Sequence, residues 1–351
     1  MTAGTAAAPA DIRFVAGRVR PYLADLLAAE QASWKEYGAP WWDAPQALAS
    51  YLDGGKALRP RFCYWGHVLG GKRPGSLLVR GCAALELLHA FALIHDDLMD
   101  RSGTRRGAPA LHRQFASQHG RHGWAGDSGA YGDAVAILTG DLAFALASRL
   151  IGTLPGRART VWAAMVQELT IGQFLDLAGA ARQDRSAEVA RTIAVLKSGR
   201  YTVTGPLRFG VALAGRTELP DGLGRYGDLV GEAFQLRDDL LGVFGDPRRT
   251  GKPVGEDLRS GKATQLMAYA AAMLPAVQRP LLARAGSVTL TDSDVAELTG
   301  ALAACGARDR VEQRIAWNVS AACALVRRAA PPAPVAEALR QMAIAATSRP
   351  E

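Results

Sequence analysis

Two acidic runs lie far apart in the chain, His95-Asp96-Asp97-Leu98-Met99-Asp100 and Gln235-Leu236-Arg237-Asp238-Asp239-Leu240-Leu241-Gly242-Val243-Phe244-Gly245-Asp246. Each is embedded in apolar sequence of helical period, where an unpaired carboxylate is strongly disfavoured. On a helix Asp96 and Asp100 are four apart and Asp97 and Asp100 three apart, so the three share one face. The same rule puts Gln235, Asp238, Asp239, Gly242 and Asp246 on one stripe. Gly242 stands where a strict D-D-x-x-D would carry a carboxylate, which makes the second chelate the weaker. All-oxygen ligation selects a hard ion, Mg2+ before Zn2+, and Mg2+ keeps waters and completes its shell from substrate phosphates. Two facing helices with such stripes therefore suggest a diphosphate held through bridging metal. Without metal, like charges about 4 Å apart repel by roughly 4 kcal/mol per pair at an effective dielectric of about 20. A solvated acidic helix end explains one such run more readily than two.

Cations stand near both runs. Gly54-Gly55-Lys56-Ala57-Leu58-Arg59 puts Lys56 and Arg59 three apart at a predicted helix start, where anions are favoured and Arg can bind phosphate bidentately. By itself a K-x-x-R is commonplace on surfaces. After the first run comes Thr104-Arg105-Arg106-Gly107, whose adjacent arginines point differently and suit two separate anions. Thr250-Gly251-Lys252-Pro253 is not a Walker loop: Gly245 is one residue too distant, Pro253 replaces Ser or Thr, and no strand precedes it. Lys252 and Lys262 read instead as point charges for a phosphate, and Lys197 sits near the end of its own predicted helix. His89, seven residues before Asp96, shares the helical face of the carboxylates.

The elements that must position these residues are helical almost throughout, with Ala and Leu recurring three and four apart. Helices are predicted over Asp11 to Tyr37, Pro45 to Leu52, Leu58 to Leu69, Ser76 to Asp100, Asp133 to Leu150, Arg157 to Gly179, Ser186 to Thr202, Gly205 to Ala214, Asp221 to Phe244, Thr264 to Leu274, Thr291 to Ala304, Ala307 to Arg328 and Pro334 to Ala345. Ser117 to Gly132, rich in Gly and His, reads as a flexible insertion. Gly245 to Lys262 reads as a loop that delivers cations to whatever the metal binds. No fixed-period repeat or linker appears, so one all-α domain is expected over residues 11–345, with disordered ends at 1–10 and 346–351.

With 351 residues and 49% of them hydrophobic, the chain is long enough for a sizeable core. No stretch approaches 18 uncharged apolar residues and no secretory leader pattern opens the sequence, so a cytoplasmic protein without a transmembrane span is expected. Cys63, Cys82, Cys305 and Cys323 lack C-x-x-C spacing and read as buried free thiols rather than a disulfide framework or zinc site. The formal net charge is +8. The basic residues form no tract and no recognition motif accompanies them, so a nucleic-acid partner is not expected. Several cluster beside the acidic runs, which favours a small polyanion in a cleft.

Taken together, these residues resemble the trans-polyprenyl diphosphate synthase family. The likeness rests on Asp96-Asp97-Leu98-Met99-Asp100, Asp238-Asp239-Leu240-Leu241-Gly242 and the segment Gly251-Lys252-Pro253-Val254-Gly255-Glu256-Asp257-Leu258-Arg259-Ser260-Gly261-Lys262. It runs by motif from about Gly54 to Thr264 and beyond that by helical pattern. The resemblance implies an isoprenoid-synthase-type helical bundle around a central cavity, a homodimer, and an allylic diphosphate bound through three Mg2+ ions. Carried over, it makes Asp96, Asp100 and Asp238 metal ligands, with Asp97 and Asp239 in support. Arg105, Lys197, Lys252 and Lys262 would grip the allylic diphosphate; Lys56, Arg59, His89 and Arg106 would hold isopentenyl diphosphate; Gln235 would lie against the developing cation.

The same resemblance places chain-length control just before the first run. Phe91 is fifth and Ala92 fourth before Asp96, an aromatic-then-small pattern similar to geranylgeranyl diphosphate synthases. The expected product is therefore C20, with farnesyl (C15) and C25 synthases as alternatives, made from C5 to C15 allylic diphosphates. Ala92 falls almost directly below the carboxylates, about 6 Å down the helix at 1.5 Å per residue, and so opens the tunnel. Phe91 falls well round from that face. Of the rivals, a class I terpene cyclase would need no second diphosphate pocket and would carry a different second metal motif. A non-catalytic subunit of a heteromeric synthase would be expected to lose ligands from the first run, and none is lost.

Overall fold

The computed structural model describes residues 8–37, 44–246, 255–287 and 289–348. Leu and Ala at helical spacing give Ala10–Phe14 (α1), Arg20–Trp34 (α2), Ala44–Leu52 (α3), Leu58–Leu69 (α4), Ser76–Met99 (α5), Leu111–His122 (α6), Ser128–Gly152 (α7), Gly156–Ala181 (α8), Ala187–Ile193 (α9), Gly205–Leu213 (α10) and Leu223–Phe244 (α11). Then follow Glu256–Ser260 (α12), Gln265–Met273 (α13), Arg279–Ala283 (α14), Asp292–Ala304 (α15), Ala307–Ala329 (α16) and Ala333–Thr347 (α17). The two-residue strands Thr104–Arg105 (β1) and Ala108–Pro109 (β2) form the sheet among the described residues. The all-α expectation holds.

Two compact units make up the chain. The first comprises Met1–Gly103, Pro109–Thr160 and Pro206–Thr217, the second Thr104–Ala108, Val161–Gly205 and Glu218–Glu351. In the first, α5 packs on α4 and α7, and α6 packs on α7. Helices α5 and α7 are long and apolar enough to cross a membrane by composition, with mean hydropathy 1.8 and 1.7, yet 61% and 50% of the relevant windows are buried in the protein interior. In the second, α11 packs on α16, and Leu236, Leu240 and Val243 join Leu266, Leu298 and Val311 in one apolar core.

Three sequence readings need correction. Ser117 to Gly132 is not a flexible insertion, because helix α6 runs to His122 and α7 begins at Ser128. Its inward face is Leu111, His112, Phe115 and His119, and the imidazole of His119 meets Trp124 edge-on at 5.8 Å and Tyr131 at a tilt at 5.1 Å. Histidine in place of an aliphatic residue hid the stripe. A π-helix, Val15–Val19, interrupts the helix expected over Asp11 to Tyr37, and another, Ala194–Thr204, replaces the second half of that expected over Ser186 to Thr202 and runs past its end. Of the four free cysteines, Cys63 and Cys82 are buried, while Cys305 and Cys323 are partly exposed.

Candidate active site

In the first unit the leading acidic run closes α5, with Asp100 as the residue that caps it. Its three aspartates do not share one environment. Asp96 and Asp100 are half-buried, but Asp97 is buried and accepts a hydrogen bond from the hydroxyl of Tyr51 at 3.1 Å. That hydroxyl in turn accepts from the Leu111 N–H at 3.1 Å, one of the first-turn donors of α6 that have no partner within the helix. One buried phenol thus ties the acidic run to the start of α6. Tyr51→Phe removes a hydroxyl used by both groups and should destabilise the protein by about 1–3 kcal/mol, read as a lower midpoint in urea unfolding.

Around this run Lys56 is exposed just before α4, at a bend where Gly54, Gly55 and Ala57 have φ of 82°, 71° and 46°. Arg59 lies in the first turn of α4, and His89 is half-buried on α5. Phe91 and Ala92 are also half-buried. The Phe91 ring meets His95 at 4.6 Å and Phe144 at 5.1 Å, so it packs against α7.

The second unit carries the other groups. Arg105 is half-buried in β1 and Arg106 is exposed at φ 53°, beside Gly107 at φ 78°. Lys197 lies on the long π-helix, where its Nζ donates to Asp176 Oδ2 at 2.5 Å. The adjacent Ser198 hydroxyl donates to Gln235 Oε1, and Gln235 Nε2 donates to Asp239 Oδ1 at 2.7 Å. Asp239 is buried, and its carboxyl is held well above the usual carboxylate range, first by burial and then by the Asp257 charge, against the hydrogen bond from Gln235. Asp238 is half-buried. Helix α11 ends at Phe244, so Asp246 lies exposed beyond the stripe on which spacing alone placed it. Lys262 Nζ lies 3.7 Å from Asp257 Oδ1, and Lys252 is outside the described residues.

The two runs repeat one arrangement. In each, the second aspartate is buried and hydrogen-bonded to a neighbour, while Asp96, Asp100 and Asp238 remain partly open to solvent. Among the described residues, no three His, Cys, Asp or Glu side chains gather closely enough to hold a metal by themselves. Such a donor set fits Mg2+, which binds through one or two carboxylates and takes its remaining oxygens from water and phosphate. Gly242 also has a steric reason: a Cβ there would overlap the Asp257 carboxylate, which lies against the bare helix. Gly242→Ala should therefore push the Asp257 side chain aside, an overpacking cost of at most about 1–3 kcal/mol reduced by the roughly 1 kcal/mol that alanine gains over glycine within a helix, and a melting temperature clearly above the parent's would contradict the contact.

Sequence reading missed Tyr51, Asp176, Ser198 and Asp257. Asp176 offered a signal, being a lone acid in the apolar stretch Phe174-Leu175-Asp176-Leu177. Tyr51 offered none, because its partners lie 46 and 60 residues away.

The sequence pattern of the polyprenyl synthetase family matches residues 44–302, and the chain belongs to that family. It is an enzyme of the trans-prenyltransferase class. It is similar to a geranylgeranyl pyrophosphate synthase of Corynebacterium glutamicum, solved with isoprenyl diphosphate and magnesium: 36% identity, a TM-score of 0.89, and coverage of 96% of this chain and 99% of that one. A geranylfarnesyl diphosphate synthase of Aeropyrum pernix is 33% identical over 286 residues, 78% of this chain and 84% of that enzyme. A (2E,6E)-farnesyl diphosphate synthase of Mycobacterium tuberculosis is 34% identical over 263 residues, 72% of this chain and 68% of that enzyme.

Proposed function

We propose that the protein condenses isopentenyl diphosphate head-to-tail with C5 to C15 allylic diphosphates, using Mg2+, and releases geranylgeranyl diphosphate. The observation that carries this reading is the repeated arrangement of the runs, one buried, bonded aspartate beside partly open ones. It is supported by Lys197, oriented by Asp176 on the same π-helix as the Ser198 that holds Gln235. Asp96, Asp100 and Asp238 are the ligands of the metal, three ions in all; Asp97 and Asp239 brace them. Bound Mg2+ supplies positive charge to the diphosphate oxygens.

Lys197, Lys252, Lys262 and Arg105 neutralise the charge that builds on the departing diphosphate as the allylic C–O bond breaks, an electrostatic contribution that is largest in a dry site. Gln235, fixed at both ends of its amide, lies against the allylic cation. Lys56, Arg59, His89 and Arg106 hold isopentenyl diphosphate with its double bond toward that cation, so the new C–C bond forms as an internal step. Loss of a proton then leaves a chain five carbons longer. Phe91 and Ala92 set how far that chain extends, and C20 is favoured over the C15 and C25 products that the relatives' names also span.

The enzyme acts as a homodimer in the cytoplasm. The exposed apolar side chains Ile137 and Leu138 of α7, and Phe174 of α8, support the first statement. The burial of much of α5 and α7 within the protein supports their being core helices rather than membrane spans. The test is purified protein with Mg2+ and isopentenyl diphosphate, offered C5, C10 and C15 allylic diphosphates separately, with products sized by mass spectrometry. Absence of Mg2+-dependent elongation with every primer would overturn the reading.

A further inference from the structure

Helices α5 and α7 interlock through two residues from each. Phe91 and His95 are one turn apart on α5, with ring centroids 4.6 Å apart and planes at 57°. Gly140 and Phe144 are one turn apart on α7. A Cβ at Gly140 would overlap the His95 imidazole, so α7 offers a hole where His95 lies. One turn on it offers a ring: Phe144 meets Phe91 at 5.1 Å and 43°. His95 is tied to α7, with its Nε2 3.2 Å from the Ile137 carbonyl. Phe91 therefore contacts two rings, of which Phe144 belongs to the neighbouring helix.

We infer that Phe144 determines product length as the backstop of Phe91. The inference rests on the function proposed above, in which the growing chain runs down from Asp96 past Ala92. Phe91 is one residue from Ala92 and so about 100° round the helix. A ring placed there limits the chain only while something behind it keeps it from turning away. Aromatic side chains have few staggered positions, and the Phe144 ring, 5.1 Å from that of Phe91, packs directly against it. The length limit thus comes from an aromatic pair shared between two helices, of which the residue upstream of the acidic run is only the visible half.

The test compares the wild type with Phe144→Leu, Phe144→Tyr, Phe91→Ala and the double variant Phe91→Ala/Phe144→Leu, sizing products by mass spectrometry after equal consumption of isopentenyl diphosphate. Leucine keeps an apolar side chain of similar bulk, a swap that cores tolerate well, but removes the ring. Phe144→Leu should lengthen the main product by at least one five-carbon unit. Phe144→Tyr should retain the wild-type length, and the double variant should match Phe91→Ala because Phe144 acts through Phe91. An unchanged product from Phe144→Leu, in a preparation whose wild type elongates, overturns this inference alone. So does a double variant whose product is longer than that of Phe91→Ala. A wild type that does not elongate at all overturns the proposed function, and this inference with it.

Discussion

Asp96→Ala and Asp238→Ala are each expected to lower turnover by at least about 10³-fold, with the melting temperature held within a few degrees. The two expectations come from the same observation. Both residues are half-buried, and their neighbours Asp97 and Asp239 already have protein partners in Tyr51 and Gln235. Removing a half-buried carboxylate takes away charge that the substrate complex needs and disturbs the interior less than removing a buried one. Asp97→Ala is therefore expected to cost more in stability than Asp96→Ala. Steady-state rates and thermal melts on the same preparations separate the two effects. Near-normal turnover in Asp96→Ala would remove the first run from the chemistry.

The largest effect on stability is expected one turn before Gln235. Glu232 on α11 is fully buried and receives Arg314 Nε and Nη2 at 3.0 and 3.2 Å, together with Arg191 Nε at 3.2 Å. It joins α9, α11 and α16 through a single carboxylate. Cutting a buried pair by removing one partner leaves the other's charge uncompensated, at a typical cost of 3–5 kcal/mol. Arg191 and Arg314 keep side-chain exposures of 54% and 30%, and can recover part of this by turning to water. Glu232→Ala is therefore expected near the lower figure, about 3 kcal/mol, with Glu232→Gln milder because it keeps shape and acceptor. Urea unfolding with an unchanged slope would register it; a loss below about 1 kcal/mol, the scale of an exposed ion pair, would show that the clamp carries little.

How much of this was legible in the sequence depends on the range of the interactions involved. Helix α4 begins and ends at the residues read from spacing, Leu58 and Leu69, because its start follows a glycine pair and its inward face is continuous apolar sequence. The split within each acidic run was not legible. Helical spacing treats Asp96 and Asp97 alike, and the partner that distinguishes the buried Asp97, Tyr51, comes from α3, far away in sequence. Gly242 looked like a lost ligand. In the fold it is the surface on which Asp257 rests, and Asp257 belongs to a helix of five residues that periodicity is too short to reveal. The π-helix of Ala194–Thr204 escaped because the spacing was read at the α-helical period and π-helical turns are rare.

That π-helix has a consequence for how the chain tolerates change. A Cβ at Gly172 would overlap the backbone of Lys197, Gly199 and Gly231 meet backbone to backbone, and a Cβ at Gly227 would overlap Thr204. Backbone cannot turn aside as a side chain can. The segment that presents Lys197 and Ser198 thus packs against three positions, Gly172, Gly227 and Gly231, where a larger residue would run into its backbone. In a complete substitution map of this enzyme, Gly172, Gly227 and Gly231 would stand out as sharply as the aspartates, although none of them carries an atom that reacts.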